Sequence, residues 1–142
     1  MRTPAILALL ALLLCACQQD KAPNADDPLD DLRGQWVIVN YWASWCKPCV
    51  KEIPELNRLD ADHADISVLG VNYDGLSGDE LATQVRELGL AFPVIDDPAA
   101  RLGTPRPQVL PTSLILNPRG EVVATLVGPQ TQESLLKIIG RR

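Results

Sequence analysis

Two cysteines set two residues apart, Trp45-Cys46-Lys47-Pro48-Cys49, are the part of this chain best equipped for chemistry. The pair follows a β-branched and aromatic run and opens an apolar stretch of helical spacing, which places Cys46 at a helix start. Free backbone N–H groups and the positive end of a helix dipole face that first turn. Lys47 adds a neighbouring cation, and Cys49 can donate its S–H to a thiolate on Cys46. Such surroundings bring a cysteine from its ordinary pKa of about 8.5 into a range of about 3.5–7.5. The spacing also lets both sulfurs meet at one helical turn. Cys46 could then attack a foreign disulfide, and Cys49 could resolve the mixed disulfide.

Plainer readings of the pair fit less well. Half a zinc site needs a second half; the other two cysteines, Cys15 and Cys17, end a greasy leader, and His63 is the single histidine. A haem attachment site needs His after the second cysteine, where Val50 stands. An inert structural disulfide gains little from closing so short a loop. No metal and no cofactor are therefore expected.

The elements that must hold the pair are legible as patterns. Trp36 to Trp42 (WVIVNYW) and Ile66 to Asn72 (ISVLGVN) read as buried strands. Between them, Val50, Ile53, Leu56 and Leu59 mark a helix. Ser77-Gly78-Asp79-Glu80 has the capping-box pattern and starts a helix carrying Leu81, Val85 and Leu88. Phe92 to Ile95 reads as a short extension or a strand. Ser113 to Leu116 and Glu121 to Val127 flank Asn117-Pro118-Arg119-Gly120, whose residues suit a type I turn and hence an antiparallel hairpin. Leu135, Leu136, Ile138 and Ile139 mark a last helix. This order predicts an α/β domain with a mixed central sheet flanked by helices. Residues 97–110, an irregular stretch with three prolines, have no path that the sequence dictates.

Upstream, Arg2 and the unbroken apolar run Ile6 to Leu14 read as a secretion signal over residues 1–16. Nine helical residues reach roughly 14 Å, about half of a bilayer's hydrocarbon core, so a spanning helix is a poor reading. An ordinary cleavage site wants a small residue at −3, where a cut before Cys17 leaves Leu14. Leu14-Cys15-Ala16-Cys17 instead resembles a bacterial lipobox, which implies lipid on Cys17; a plain signal peptide is the other reading. The polar, acidic residues 18–31 then read as a flexible tether, and the folded domain as residues 32–142.

The chain has 142 residues, 46% apolar and 22% charged, enough for one core. Beyond the leader, 12 basic residues face 18 acidic ones. No basic run occurs, which argues against nucleic acid as a partner.

Residues 36–54 (WVIVNYWASWCKPCVKEIP) resemble the active-site segment of the thioredoxin superfamily, most of all its membrane-tethered extracytoplasmic branch of TlpA- and ResA-like proteins. The resemblance covers roughly residues 32–140 and implies a thioredoxin-like fold. It implies that Pro111 is a cis-proline facing the cysteines, with the backbone of Leu110 pairing with substrate; an ordinary trans proline opening a strand is the alternative. Pro54 matches a helix-kinking proline and Gly128 a glycine after the last strand. Trp45 would cover the disulfide and, with Lys47 and Pro48, meet substrate, whereas Trp36 and Trp42 would pack and His63 would lie at the surface. Asn40 stands where cytoplasmic thioredoxins carry a buried acid, so that base is absent. Glu52 matches an acid that the ResA-like branch places near the pair; it would handle the Cys49 proton if buried, and would otherwise be a solvated carboxylate.

The activity so implied is thiol–disulfide exchange by a monomer in the bacterial envelope. Its expected partners are oxidised envelope proteins, apocytochrome c among them, and a DsbD-type membrane reductant. Pro48 before the second cysteine is typical of reducing members. A disulfide oxidant or isomerase of the same fold, a thiol peroxidase, and a redox-inactive metal-binding or chaperone module remain as alternatives.

Overall fold

A computed structural model of the chain describes residues 27–141. Strand β1 (Trp36–Trp42) leads into helix α2 (Lys47–Asp62), which crosses over to strand β2 (Ile66–Asn72). Helix α3 (Gly78–Leu88), the hairpin β3 (Thr112–Leu116) and β4 (Val122–Val127), and helix α4 (Gln132–Ile138) follow, and a short helix α1 (Pro28–Asp31) precedes them all. The sheet runs β2-β1-β3-β4, with β1 and β2 parallel and the other two pairings antiparallel. This is the mixed sheet flanked by helices that the pattern predicts. Val94 adds a parallel bridge to Gly70, so the Phe92–Ile95 stretch is an extension beside β2 rather than a full strand.

Strand alternation divides the core in two. Ile38 and Trp42 of β1 pack with Val68, Ile115, Leu135 and the buried face of α2. Val37, Val39 and Tyr41 face the other way, onto Leu69, Val71, Leu114, Leu116 and Leu29. Gly70 belongs to this architecture through its missing side chain. A Cβ there would come within 2.9 Å of the Trp42 indole nitrogen and 3.2 Å of the Phe92 ring. The hairpin turn is held by the Asn117 carbonyl, which accepts from Gly120 N–H at 2.7 Å, with Gly120 in the left-handed region at φ +74°.

Three expectations change. The tether does not run to residue 31, because residues 28–31 form α1 and Leu29 is buried in the second core cluster. Asp27 caps α1 by accepting from Leu29 N–H, and Arg101 pairs with both Asp27 and Asp30. One apolar residue and two ion pairs thus bring an acidic segment into the domain. Second, Ser77 is the N-cap of α3 but makes no side-chain cap bond. The capping box stands at α4, where Thr131 Oγ1 accepts from Ser134 N–H and Ser134 Oγ accepts from Thr131 N–H. Third, the buried stripe of α2 is Cys49, Glu52, Ile53, Leu56 and Leu59, with Val50 only half-buried. A helix turns every 3.6 residues, so a strict three-residue spacing drifts off the face.

Candidate active site

Parallel pairing brings the carboxyl ends of β1 and β2 together, with Tyr73 N–H donating to the Trp42 carbonyl at 2.8 Å. From there residues 43–45 turn tightly, Cys46 N–H donating to the Ala43 carbonyl, and α2 begins. Cys46 is the N-cap of α2, and its sulfur accepts from Cys49 N–H at 3.3 Å. Cys46 and Cys49 are joined as a disulfide, their Cα atoms 5.3 Å apart. Both are buried, so Cys46 is less open than its place at the helix tip suggests; at 5% exposure against 1% it is still the more accessible residue of the two. The loop closed by the disulfide carries Lys47 and Pro48, both exposed.

Glu52 lies one turn further along α2 and is almost wholly buried. Its Oε1 accepts from Asn40 Nδ2 at 2.7 Å and its Oε2 from Gln130 N–H at 2.8 Å. Asn40 Nδ2 also donates to Ser113 Oγ at 3.1 Å. Burial pushes the Glu52 carboxyl above its ordinary value, and the Gln130 N–H and the Asn40 amide partly offset that by favouring the charged form. The solvated-carboxylate reading of Glu52 therefore falls. Asn40, which the sequence marks only as a missing base, donates to the buried carboxyl of Glu52 on the helix. A lone amide inside the apolar run WVIVNYW was a sign that a buried partner waits for it. Nothing local in the sequence points to Ser113 or Gln130.

The Leu110–Pro111 peptide bond is cis. Pro111 is buried, its carbonyl accepting from Gly128 N–H at 2.9 Å, and Thr112 Oγ1 donates to the Val109 carbonyl at 2.8 Å. Leu110 packs against the apolar cluster that contains Cys46 and Cys49. Trp45 stands at the rim, 63% exposed, donating from Nε1 to Asp74 Oδ2 at 2.9 Å. Its ring meets Tyr73 edge to face, the centroids 6.5 Å apart. Trp42 is buried and Trp36 half-buried against the core, as packing residues, while His63 is half-buried at the end of α2. Pro54 lies inside α2, which continues through it to Asp62. Cys17 lies outside the described residues.

Among the described residues, no cluster of three or more His, Cys, Asp or Glu side chains is placed to hold a metal ion. No helix among them is long and apolar enough to cross a membrane.

Known proteins resemble this chain in sequence and fold. The thiol-disulfide oxidoreductase ResA of Bacillus anthracis is 38% identical over 75% of this chain and 63% of its own length, so the chain spans less than two thirds of that relative. The sporulation thiol-disulfide oxidoreductase A of Bacillus subtilis is 29% identical over 94% of this chain and 79% of its own length. A crystal structure of a secreted thiol-disulfide isomerase from Corynebacterium glutamicum superposes with a TM-score of 0.68 at 31% identity, covering 78% of this chain and 71% of that one. A family model described as AhpC/TSA matches residues 17–125, and with that match the chain belongs to the AhpC/TSA family of thioredoxin-like proteins.

Proposed function

We propose that this protein is an extracytoplasmic thiol–disulfide oxidoreductase that reduces disulfides of envelope proteins through Cys46 and Cys49. The observation that carries the reading is the Cys46–Cys49 disulfide at the N-terminus of α2. In the reduced enzyme, the helix terminus and Lys47 favour thiolate on Cys46. That thiolate attacks one sulfur of a substrate disulfide, forms a mixed disulfide, and expels the other sulfur as a thiolate. Cys49 loses its proton to Glu52 and attacks the Cys46 sulfur. The Cys46–Cys49 disulfide forms, the second substrate sulfur leaves, and two electrons have passed to the substrate. A membrane thiol reductant of DsbD type returns them.

Substrate contact falls to Trp45, Lys47, Pro48 and the loop at Leu110 and Pro111, where the Leu110 backbone pairs with an extended segment. A cleaved leader and lipid on Cys17 would tether the domain at a membrane on the periplasmic side, and apocytochrome c suits it as substrate. The description of one structural relative as a secreted thiol-disulfide isomerase supports an extracytoplasmic place.

The test is to trap and to poise the pair. Cys49→Ala should accumulate a one-to-one mixed disulfide between Cys46 and a peptide disulfide, read by mass spectrometry. The parent should show a reduction potential nearer the thioredoxin value of about −270 mV than the DsbA value of about −120 mV. No adduct would end the oxidoreductase reading, and a potential near the DsbA value would reverse its direction. The same mass spectrometry on protein from native membranes reads Cys17; an N-terminus without lipid would end the anchor.

A further inference from the structure

Arg106 is the point where the irregular connection 97–110 reaches the rim of the site. Its Nε donates to Asp97 Oδ2 at 2.7 Å and its Nη2 to the Tyr73 carbonyl at 2.5 Å. The guanidinium also lies over the Tyr73 ring, 4.1 Å from its centroid. The same ring meets Trp45 edge to face, and Trp45 adjoins Cys46. Behind Arg106, Asp97 Oδ1 accepts from the Tyr41 hydroxyl at 2.7 Å. Tyr41 is fully buried on β1, the strand that runs into the Cys46 turn.

The protonation states suit a fixed anchor. Burial and the Asp97 carboxylate hold the Tyr41 phenol well above its ordinary value, so it stays a donor. Burial works against the Asp97 charge, but the Tyr41 hydroxyl, the Ala99 N–H and Arg106 outweigh it and hold the carboxyl low. Arg106 itself is 44% exposed, so its ion pair with Asp97 adds little stability. What it supplies is geometry. A planar guanidinium can bond Asp97 and the Tyr73 carbonyl while stacking on the ring, which a lysine ammonium cannot reproduce.

We propose that Arg106 is a positioning residue for substrate recognition. It fastens the Tyr73–Trp45 wall to Asp97, which the hydroxyl of the buried Tyr41 holds in place, so that a segment with an aromatic side chain beside its cysteine docks on a preset surface. The inference rests on the oxidoreductase reading and names the substrate feature that the site prefers. Trp45 is otherwise largely in solvent, and a wall already in place avoids the ordering cost that docking would incur.

The test uses the full chain, Arg106→Gln and Arg106→Lys. The substrates are a peptide disulfide flanked by aromatic residues, its alanine-flanked counterpart, and dithionitrobenzoate as a small disulfide. Arg106→Gln should raise KM for the aromatic-flanked peptide about three- to tenfold, leave kcat within about twofold, and leave the other two substrates unchanged. Arg106→Lys should lie between Gln and the parent, and it gives the same reading should the Gln variant fail to fold. Acrylamide quenching of the exposed indole should rise in both variants. An unchanged KM for the aromatic-flanked peptide overturns the proposal. So does equal slowing with dithionitrobenzoate, which would put Arg106 in the redox step. Should the parent turn over no disulfide at all, the oxidoreductase reading falls. Quenching still judges the wall, and unchanged quenching would overturn the role of Arg106 on its own.

Discussion

The two flanks of the disulfide are held by opposite means. On the helix side, Glu52, Asn40 and Ser113 are each almost wholly buried and are joined by hydrogen bonds of 2.7 and 3.1 Å. On the rim, Trp45, Asp74 and Arg106 are open to solvent and are held by charge and ring stacking. The proton acceptor proposed at Glu52 is served by a raised carboxyl, and here burial is the main cause of that shift. A docking surface needs access, so its order must come from contacts that survive in water. On the proposed roles, the chemistry is separated from the recognition over the width of one loop.

Glu52→Gln should produce the largest departure from the parent. Its raised carboxyl pKa means that the folded state keeps a proton which the unfolded chain releases. Parent and variant should therefore run parallel in stability below the ordinary glutamate range. The parent should then lose stability relative to the variant as pH rises from that range through the raised value. Urea titrations across that interval measure it. In exchange assays the variant should resolve mixed disulfides about a hundredfold more slowly. Stability curves that stay parallel at every pH would place Glu52 with the rim rather than the core.

Asn40→Leu should have a smaller effect in the same system. It removes one of the N–H donors that favour the charged carboxylate while nearly keeping the volume, so the Glu52 value should climb further. The pH interval over which stability falls should extend upward, and the pH profile of resolution should move in the same direction. A profile that moved downward would show that Asn40 does not stabilise the charge.

The rim should be the mildest. Trp45→Ala, at an exposed position, should change unfolding free energy by no more than about 0.5 kcal/mol, with no new pH dependence. Its KM for an aromatic-flanked peptide should rise several-fold all the same. A large stability loss would mean that the rim is part of the core and that the contrast between the flanks is false.

How far the sequence carries differs along the same line. Strands β1 and β2 are readable to the residue because both are runs dominated by β-branched, aromatic and other apolar residues, and the hairpin because Asn117 and Gly120 bracket its turn. Cys46 and Cys49 declare themselves by spacing alone. Helix α1 does not, since Leu29 is one apolar residue in an acidic stretch, and Arg101, which pairs with Asp27 and Asp30, stands 71 positions beyond Asp30. Glu52 is visible as a candidate, but its burial comes from Asn40 on a neighbouring strand and from a backbone N–H at residue 130. The Tyr73–Arg106 contact joins residues far apart through a connection with no periodicity, and no local pattern encodes it.

Asn40 and Tyr41 are neighbours in the chain, yet one bonds Glu52 and the other bonds Asp97, on opposite faces of β1. Drift at residue 40 would alter proton handling, while drift at residue 41 would alter docking, with little crosstalk. If both proposed roles hold, substrate range and pH range would diverge separately among descendants of this chain, each by single substitutions. Frameshifted strand pairing is the one change that strikes both. Deleting a residue between Gln35 and Asn40 would send each side chain of that segment to the wrong face. A change of length in this stretch thus disturbs both faces of β1 at once, whereas a substitution disturbs one.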